Sequence, residues 1–490
     1  MAEVLGKTIF RGSVLMVGAT VAARIVGVVV QIILGWILAK EDFGRYGIAL
    51  SLTAIFHCFH ENGIYKLLVQ QNNESREWQR AGFLLAYLLS LLSAIGFIVV
   101  GMWYARTYDD SLVASLVTVL AFAQILGASA AVYRAKFACD LRFNLISSIM
   151  FQVRSINQIL MVPFSLLGWG AFSFVLPTLF SRPYEVLWWR RRVVSHETVK
   201  LRDLFPLPTT AMMKMVGKLK WIAVTGLGVA MIQNGDSLVL AYLDVDKAMI
   251  GTYFFGFQLT TVLASLLTTS LTSVFLPTIS KVKDDQPRMR LMYLRTLRMI
   301  STFTFPVCLA GVFLLGPVIH LVWNSKWDDA ILVAQVLLLV FPLRLMTPIG
   351  RSFLEARGEW RLVALIIYID VVGVITAAYA GASMGTLKNI VISVAIWRFT
   401  FGILQLFVMP IRLKMSVWQV VAVVARYVSI CLVSLLVVAR FVGSPFEENE
   451  NVHFLSAFGS LMVFSLVYLI LSGLFSRDDY GEALKFFRKG

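Results

Sequence analysis

Apolar residues fall in long uninterrupted runs along this chain, each closed by a cluster of charged or turn-forming residues, with no sustained alternation at the period of a half-buried strand. Fourteen runs stand out, near 12–38, 43–69, 81–104, 111–133, 144–167, 169–189, 221–243, 249–279, 291–318, 329–356, 361–382, 387–410, 416–440 and 452–475. Each is long enough for the roughly 20 residues that a helix needs to cross hydrocarbon. The pattern predicts an all-α polytopic membrane protein with about 14 transmembrane helices. The longest polar interval, Arg190 to about Lys220, is too short to fold alone, so any site must lie among spanning helices. A catalytic head domain is excluded, and the chain is not expected to be an enzyme.

Composition agrees: of 490 residues, 58% are hydrophobic and only 15% charged. The 44 basic against 28 acidic residues would suggest nucleic acid in a soluble protein, but here the basic residues alternate by loop. One side collects Lys7, Arg11, Arg76, Arg80, Arg134, Lys136, Arg142, Arg190, Arg191, Arg192, Lys214, Lys218, Lys220 and most of the later ones; the other keeps little beyond Lys40, Arg45, Arg106, Lys247, Lys326 and Lys388. The positive-inside rule then makes both termini cytoplasmic, and the net charge of +16 is mostly topology, not a nucleic-acid surface. The first run reads as a retained span, since it is too long for a signal peptide and lacks a small-residue cleavage pattern. Cys58, Cys139, Cys308 and Cys431 are far apart and suggest neither a disulfide framework nor a metal site.

A weak internal repeat joins the start of the chain to its middle. Gln31, Leu38-Ala39 and Gly44-Arg45-Tyr46 recur as Gln233, Leu240-Ala241 and Gly251-Thr252-Tyr253. Two parallel six-helix lobes with a cavity between them would give such a repeat. The expected organisation is an N-terminal lobe at 1–190, a cytoplasmic basic linker at 191–220, a second lobe at 221–412, and two extra helices with a cytoplasmic tail at 413–490. Trp188-Trp189 followed by Arg190-Arg191-Arg192 reads as an interfacial anchor.

The polar residues inside the spans carry the chemistry. Arg24, Arg154, Arg344, Arg398 and Arg426 each lie about ten or more residues into an apolar run. A mid-span arginine costs roughly 2.5 to 3.5 kcal/mol on insertion scales. The acids deep enough to offset it are Asp370, Asp236 and Glu61, and three acids leave two arginines over. The surplus suits an anionic substrate. Gln31 follows Arg24 along one helical face, and Asn157 follows Arg154, so both join the substrate-binding candidates; Arg426 lies outside the twelve-helix core and is set aside. His57, His60 and Glu61, with Asp236 and Asp370, are candidates for ion coupling. The order H-x-x-H-E is not the zinc-protease order, and no cofactor is expected beyond an Na+ or H+ gradient or the membrane potential.

Several runs resemble a known family. Arg24-Ile25-Val26-Gly27, Leu38-Ala39-Lys40-Glu41-Asp42-Phe43-Gly44-Arg45-Tyr46, Glu61-Asn62-Gly63 and Leu68-Val69-Gln70 resemble the opening helices of Wzx-type polysaccharide-export flippases, of the multidrug/oligosaccharidyl-lipid/polysaccharide superfamily. Gly168-Trp169-Gly170-Ala171-Phe172-Ser173, Gly251-Thr252-Tyr253 and Phe275-Leu276-Pro277-Thr278-Ile279-Ser280 are similar to the same family, and the likeness beyond residue 290 is topological. Glu61 stands where the family usually has aspartate. The resemblance implies two six-helix bundles with a cationic cavity. It implies flipping of undecaprenyl-pyrophosphate-linked sugar repeat units across the bacterial inner membrane, for exopolysaccharide, O-antigen or capsule synthesis. Expected partners are the lipid-linked oligosaccharide, membrane lipids, a polysaccharide polymerase and a chain-length regulator. The alternatives are a peptidoglycan lipid II flippase, a cation-coupled multidrug exporter of the same superfamily, and a membrane-embedded glycan polymerase or ligase.

Overall fold

The computed structural model describes residues 2–57, 61–70, 76–192, 208–262, 285–441 and 454–475. Among them nine helices are long and apolar enough to cross a bilayer. The number rises to eleven if each of two bent pairs is one broken span. The chain is a multi-pass α-helical membrane protein, and the expectation of 14 crossings is neither met nor excluded by the described residues. One expected span is discontinuous: the run from 111 divides into α5 (Ser111–Leu126) and α6 (Ala130–Cys139), which meet at 44°. The expected span over 43–69 is described as α2 (Lys40–His57) and α3 (Glu61–Gln70), with 58–60 outside the described residues.

The helices group into two compact units, Met1–Phe254 with Ala364–Tyr379, and Phe255–Val363 with Ala380–Gly490. In the first, α1 (Ala2–Ile37) packs along α7 (Phe143–Leu166), α4 (Arg76–Tyr108) along α5, α7 along α8 (Phe172–Arg192), and α2 along α9 (Thr209–Tyr242). Local chemistry fixes the turns. Asp110 caps α5 by accepting a bond from the Val113 amide at 3.3 Å. The α7–α8 turn runs through Gly168 (φ 77°) and Gly170 (φ 51°), left-handed conformations that glycine adopts without strain. There the Ala171 amide donates to Asp42 at 3.0 Å. The Tyr46 ring stacks on Phe174, centroids 4.3 Å apart, and meets Phe254 edge-on. Leu88, Leu91, Leu92, Ile95 and Val99 of α4 form an exposed stripe at helical spacing, as a face turned to lipid requires.

The second unit holds α11 (Gln286–Trp323), α12 (Asp328–Ala356), α14 (Leu387–Leu413), α15 (Val417–Phe441) and α16 (Phe454–Phe475). A helix over 247–262, α10, and α13 (Trp360–Ser383) contribute residues to both units. α12 and α14 approach closely because Gly402 faces Leu343 and Gly350 faces Met409, where an added Cβ would sit 2.8 and 3.0 Å from those side chains. α15 and α16 are tied to α11 through Thr302, whose hydroxyl donates to the Tyr427 hydroxyl and whose carbonyl accepts from Tyr468, both at 2.8 Å.

Candidate functional site

Parallel packing of α1 on α7 sets the position of the first arginine group. Gly27 faces Gln158, where a Cβ would come within 2.5 Å of the amide nitrogen, so the glycine lets the helices close up. One turn earlier on each helix stand Arg24 and Arg154, within electrostatic reach of one another. A turn earlier again, Ala19 and Thr20 of α1 and Ser147, Met150 and Phe151 of α7 line a cleft that also includes Arg154. The register is the same at all three levels. Among the described residues, neither guanidinium has a hydrogen-bond or carboxylate partner; Arg24 Nε is buried with none, and so is Gln31 Nε2 two turns above it. Asn157, beside Arg154 in sequence, accepts a bond from Ser181 at 3.4 Å.

The second group lies in the other unit. Arg344 of α12 and Arg398 of α14 converge on one ring, with guanidinium carbons 5.6 and 5.3 Å from the Phe257 centroid, and Arg344 is also 5.5 Å from the Phe341 centroid. Arg398 is 5% exposed. An aromatic face offers partial negative charge to a desolvated cation, by roughly 0.5 to 2 kcal/mol. Arg426 lies exposed on α15.

The expected coupling residues separate. Asp236 of α9 is 1% exposed and accepts from the Tyr253 hydroxyl at 2.7 Å and from the Ser237 amide at 2.9 Å. Asp370 of α13 is buried. The side chains of His57 and Glu61, and His60 altogether, lie outside the described residues. Among the described residues no three metal-ligating side chains cluster.

The acid count from sequence was incomplete. Glu185 of α8 is buried and pairs with Arg182 at 3.3 Å, an extra acid matched to an extra arginine. Asp110 takes both Arg45 at 3.3 Å and Lys247 at 3.7 Å. The three residues are far apart in sequence, 45, 110 and 247, so no local motif marks them.

A family profile described as "Polysaccharide biosynthesis protein" matches residues 33–332, more than half the chain. The chain belongs to this family. Beyond it, the chain is 22% identical to the lipopolysaccharide biosynthesis protein WzxC of Escherichia coli K12, over 70% of the chain and 68% of that protein. It is 29% identical over 147 residues to an uncharacterized membrane protein in the cps region of Klebsiella pneumoniae, a match spanning 28% of the chain and only 30% of that relative. The fold is that of the lipid II flippase MurJ in its inward closed conformation, with a TM-score of 0.72, 15% identity, and 95% of this chain and 99% of the other covered. A mutant of the MATE transporter VcmN of Vibrio cholerae aligns with a TM-score of 0.58 at 10% identity, over 84% and 98% of the two chains. The family is one of polysaccharide biosynthesis, and the fold is shared with a flippase and a MATE transporter.

Proposed function

We propose that the protein flips undecaprenyl-pyrophosphate-linked oligosaccharide repeat units from the cytoplasmic to the periplasmic leaflet of the bacterial inner membrane, by alternating access and with both termini cytoplasmic. The observation that carries the reading is the Arg24 and Arg154 pair, two like charges side by side in membrane helices with no carboxylate partner among the described residues. Such a pair is costly alone and favourable around an anion. A diphosphate fits it, since the planar guanidinium fork binds two phosphate oxygens at once, whereas an ammonium presents a point charge. Membership of a polysaccharide biosynthesis family supports a sugar-bearing ligand. Arg344 and Arg398, held against Phe257, are assigned to the same ligand class. The reaction breaks no covalent bond.

The test is export. In a strain lacking the chromosomal gene, Arg24→Ala with Arg154→Ala is expected to cut surface polysaccharide by about tenfold or more at wild-type protein levels, as loss of two charge-assisted contacts implies. Unchanged export would remove the assignment. Complementation of a strain lacking its peptidoglycan-precursor flippase, and resistance to cationic drugs on overexpression, test the two rival transporters.

A further inference from the structure

We propose that Arg134, on α6, is a third anion-binding arginine, forming with Arg154 and Arg24 a file of guanidiniums that receives a diphosphate-bearing headgroup at the cytoplasmic end of the α1–α7 cleft. The inference rests on the function proposed above and adds the path by which the ligand arrives. Sequence places Arg134 among the cytoplasmic basic residues, where it serves as a topology marker. The structure gives it a more particular setting. The chain breaks after Leu126, and α6 leaves at 44°, burying Val132, Tyr133, Ala135 and Phe137 in the core that α3 shares. Arg134 is left on the partly exposed side, its guanidinium 4.5 Å above the Tyr65 ring of α3. Stacking fixes the plane of the group while leaving its N–H edges free to donate.

Three observations separate Arg134 from an ordinary surface arginine. Its Nε is buried and lacks an acceptor among the described residues. It has no carboxylate partner there, whereas Arg45, Arg182 and Arg357 are paired with Asp110, Glu185 and Glu359. It also lies within electrostatic reach of Arg154, which in turn reaches Arg24. The three come from α6, α7 and α1, so the like charges are assembled by tertiary structure, and a bound anion would relieve them all. The small cleft of Ala19, Thr20, Ser147, Met150 and Phe151 includes Arg154, with Thr20 and Ser147 as its hydroxyls. A diphosphate headgroup brings the matching charge.

The experiment uses the full chain in phosphatidylcholine nanodiscs, with inorganic pyrophosphate and farnesyl diphosphate as probes and calorimetry as the readout. Arg134→Gln is expected to weaken both probes by about tenfold, and Arg134→Lys by about threefold, since lysine keeps the charge and loses the fork. Melting temperature without ligand identifies a variant that has failed to fold, and Arg134→Lys then carries the test. If Arg134→Gln binds as wild type while Arg24→Ala and Arg154→Ala weaken binding, Arg134 is structural and the inference fails alone. If none of the three matters, the proposed function loses its arginine assignment as well. If replacing part of the lipid with phosphatidylglycerol abolishes the Arg134 dependence, the residue serves bulk lipid headgroups and the inference is overturned.

Discussion

Gly44 and Gly251 meet reciprocally where α2 crosses α10. The Lys247 carbonyl occupies the space that a Cβ on Gly44 would need, and the Lys40 carbonyl does the same for Gly251. Each carbonyl lies four residues before the glycine of its own helix, so the contact is two-fold symmetric. These are the glycines of the internal repeat. Either one replaced by alanine would drive a methyl group into rigid backbone, and Gly44→Ala or Gly251→Ala is expected to cost at least about 2 kcal/mol. Gly217→Ala, on α9 with no atom within 4 Å, serves as the contrast. It is expected to be neutral or stabilising by up to about 1 kcal/mol on helix propensity. Melting curves of the three purified variants check the ordering.

Asp110 holds the same end of the first unit together. It is 6% exposed, caps α5, and faces both Arg45 and Lys247. Asp110→Asn keeps the cap acceptor, removes the acid that Arg45 faces, and leaves Lys247 only its longer contact with Asp244 at 3.9 Å. The expected loss is about 1 to 3 kcal/mol, reduced by the partial exposure of both cations. Adding Lys247→Met to Asp110→Asn is expected to recover part of it, measured by thermal unfolding as a double-mutant cycle.

The Asp236 and Tyr253 pair is where an ion requirement is expected to reside. Asp236→Asn keeps an oxygen for the tyrosine hydroxyl but loses the charge and the oxygen that accepts from the Ser237 amide, while Tyr253→Phe removes the donor and keeps the charge. If Asp236 carries the coupling ion, transport by the asparagine variant becomes independent of the Na+ or H+ gradient, whereas the phenylalanine variant stays gradient-dependent at a lower rate. Gradient-dependent transport by both would exclude Asp236 from coupling.

Phe257 is predicted to matter because two arginines share it. Phe257→Leu keeps the apolar volume and removes the ring that Arg344 and Arg398 both face. Loss of two cation–π contacts is expected to lower export about five- to thirtyfold without loss of protein, since together they are worth roughly 1 to 2 kcal/mol. Phe257→Tyr, which keeps the ring face, is expected to retain activity.

The helical membrane class was legible because hydrocarbon thickness acts on run length directly, and runs such as 81–104 and 387–410 have their helices, Arg76–Tyr108 and Leu387–Leu413. Gly44 and Gly251 stood out in sequence as matched positions, and each faces a steric demand that only glycine meets. The break after Leu126 was not, since it falls inside an apolar stretch where Gly127 and Ser129 give little polar signal. Among the site residues, Arg24 and Arg154 could be singled out by depth, and Arg344 with Arg398 likewise. That the first two adjoin each other, and that the second two share Phe257, depends on helix contacts that no spacing encodes. Arg134 escaped for the opposite reason: near a span end a basic residue already has an explanation in topology, and its stacking on Tyr65 comes from another helix.

The central claim is that the Arg24 and Arg154 pair binds the anionic head of a lipid-linked glycan, and reconstituted flipping tests it most directly. Protein in liposomes carrying a fluorescent polyprenyl-diphosphate oligosaccharide in both leaflets is treated with an impermeant quencher, so that quenching beyond the outer-leaflet half reports translocation. Wild type is expected to give near-complete quenching. Arg24→Ala with Arg154→Ala is expected to stay at the half level, and Arg24→Lys with Arg154→Lys to lie between. Equal translocation by all three proteins would contradict the account.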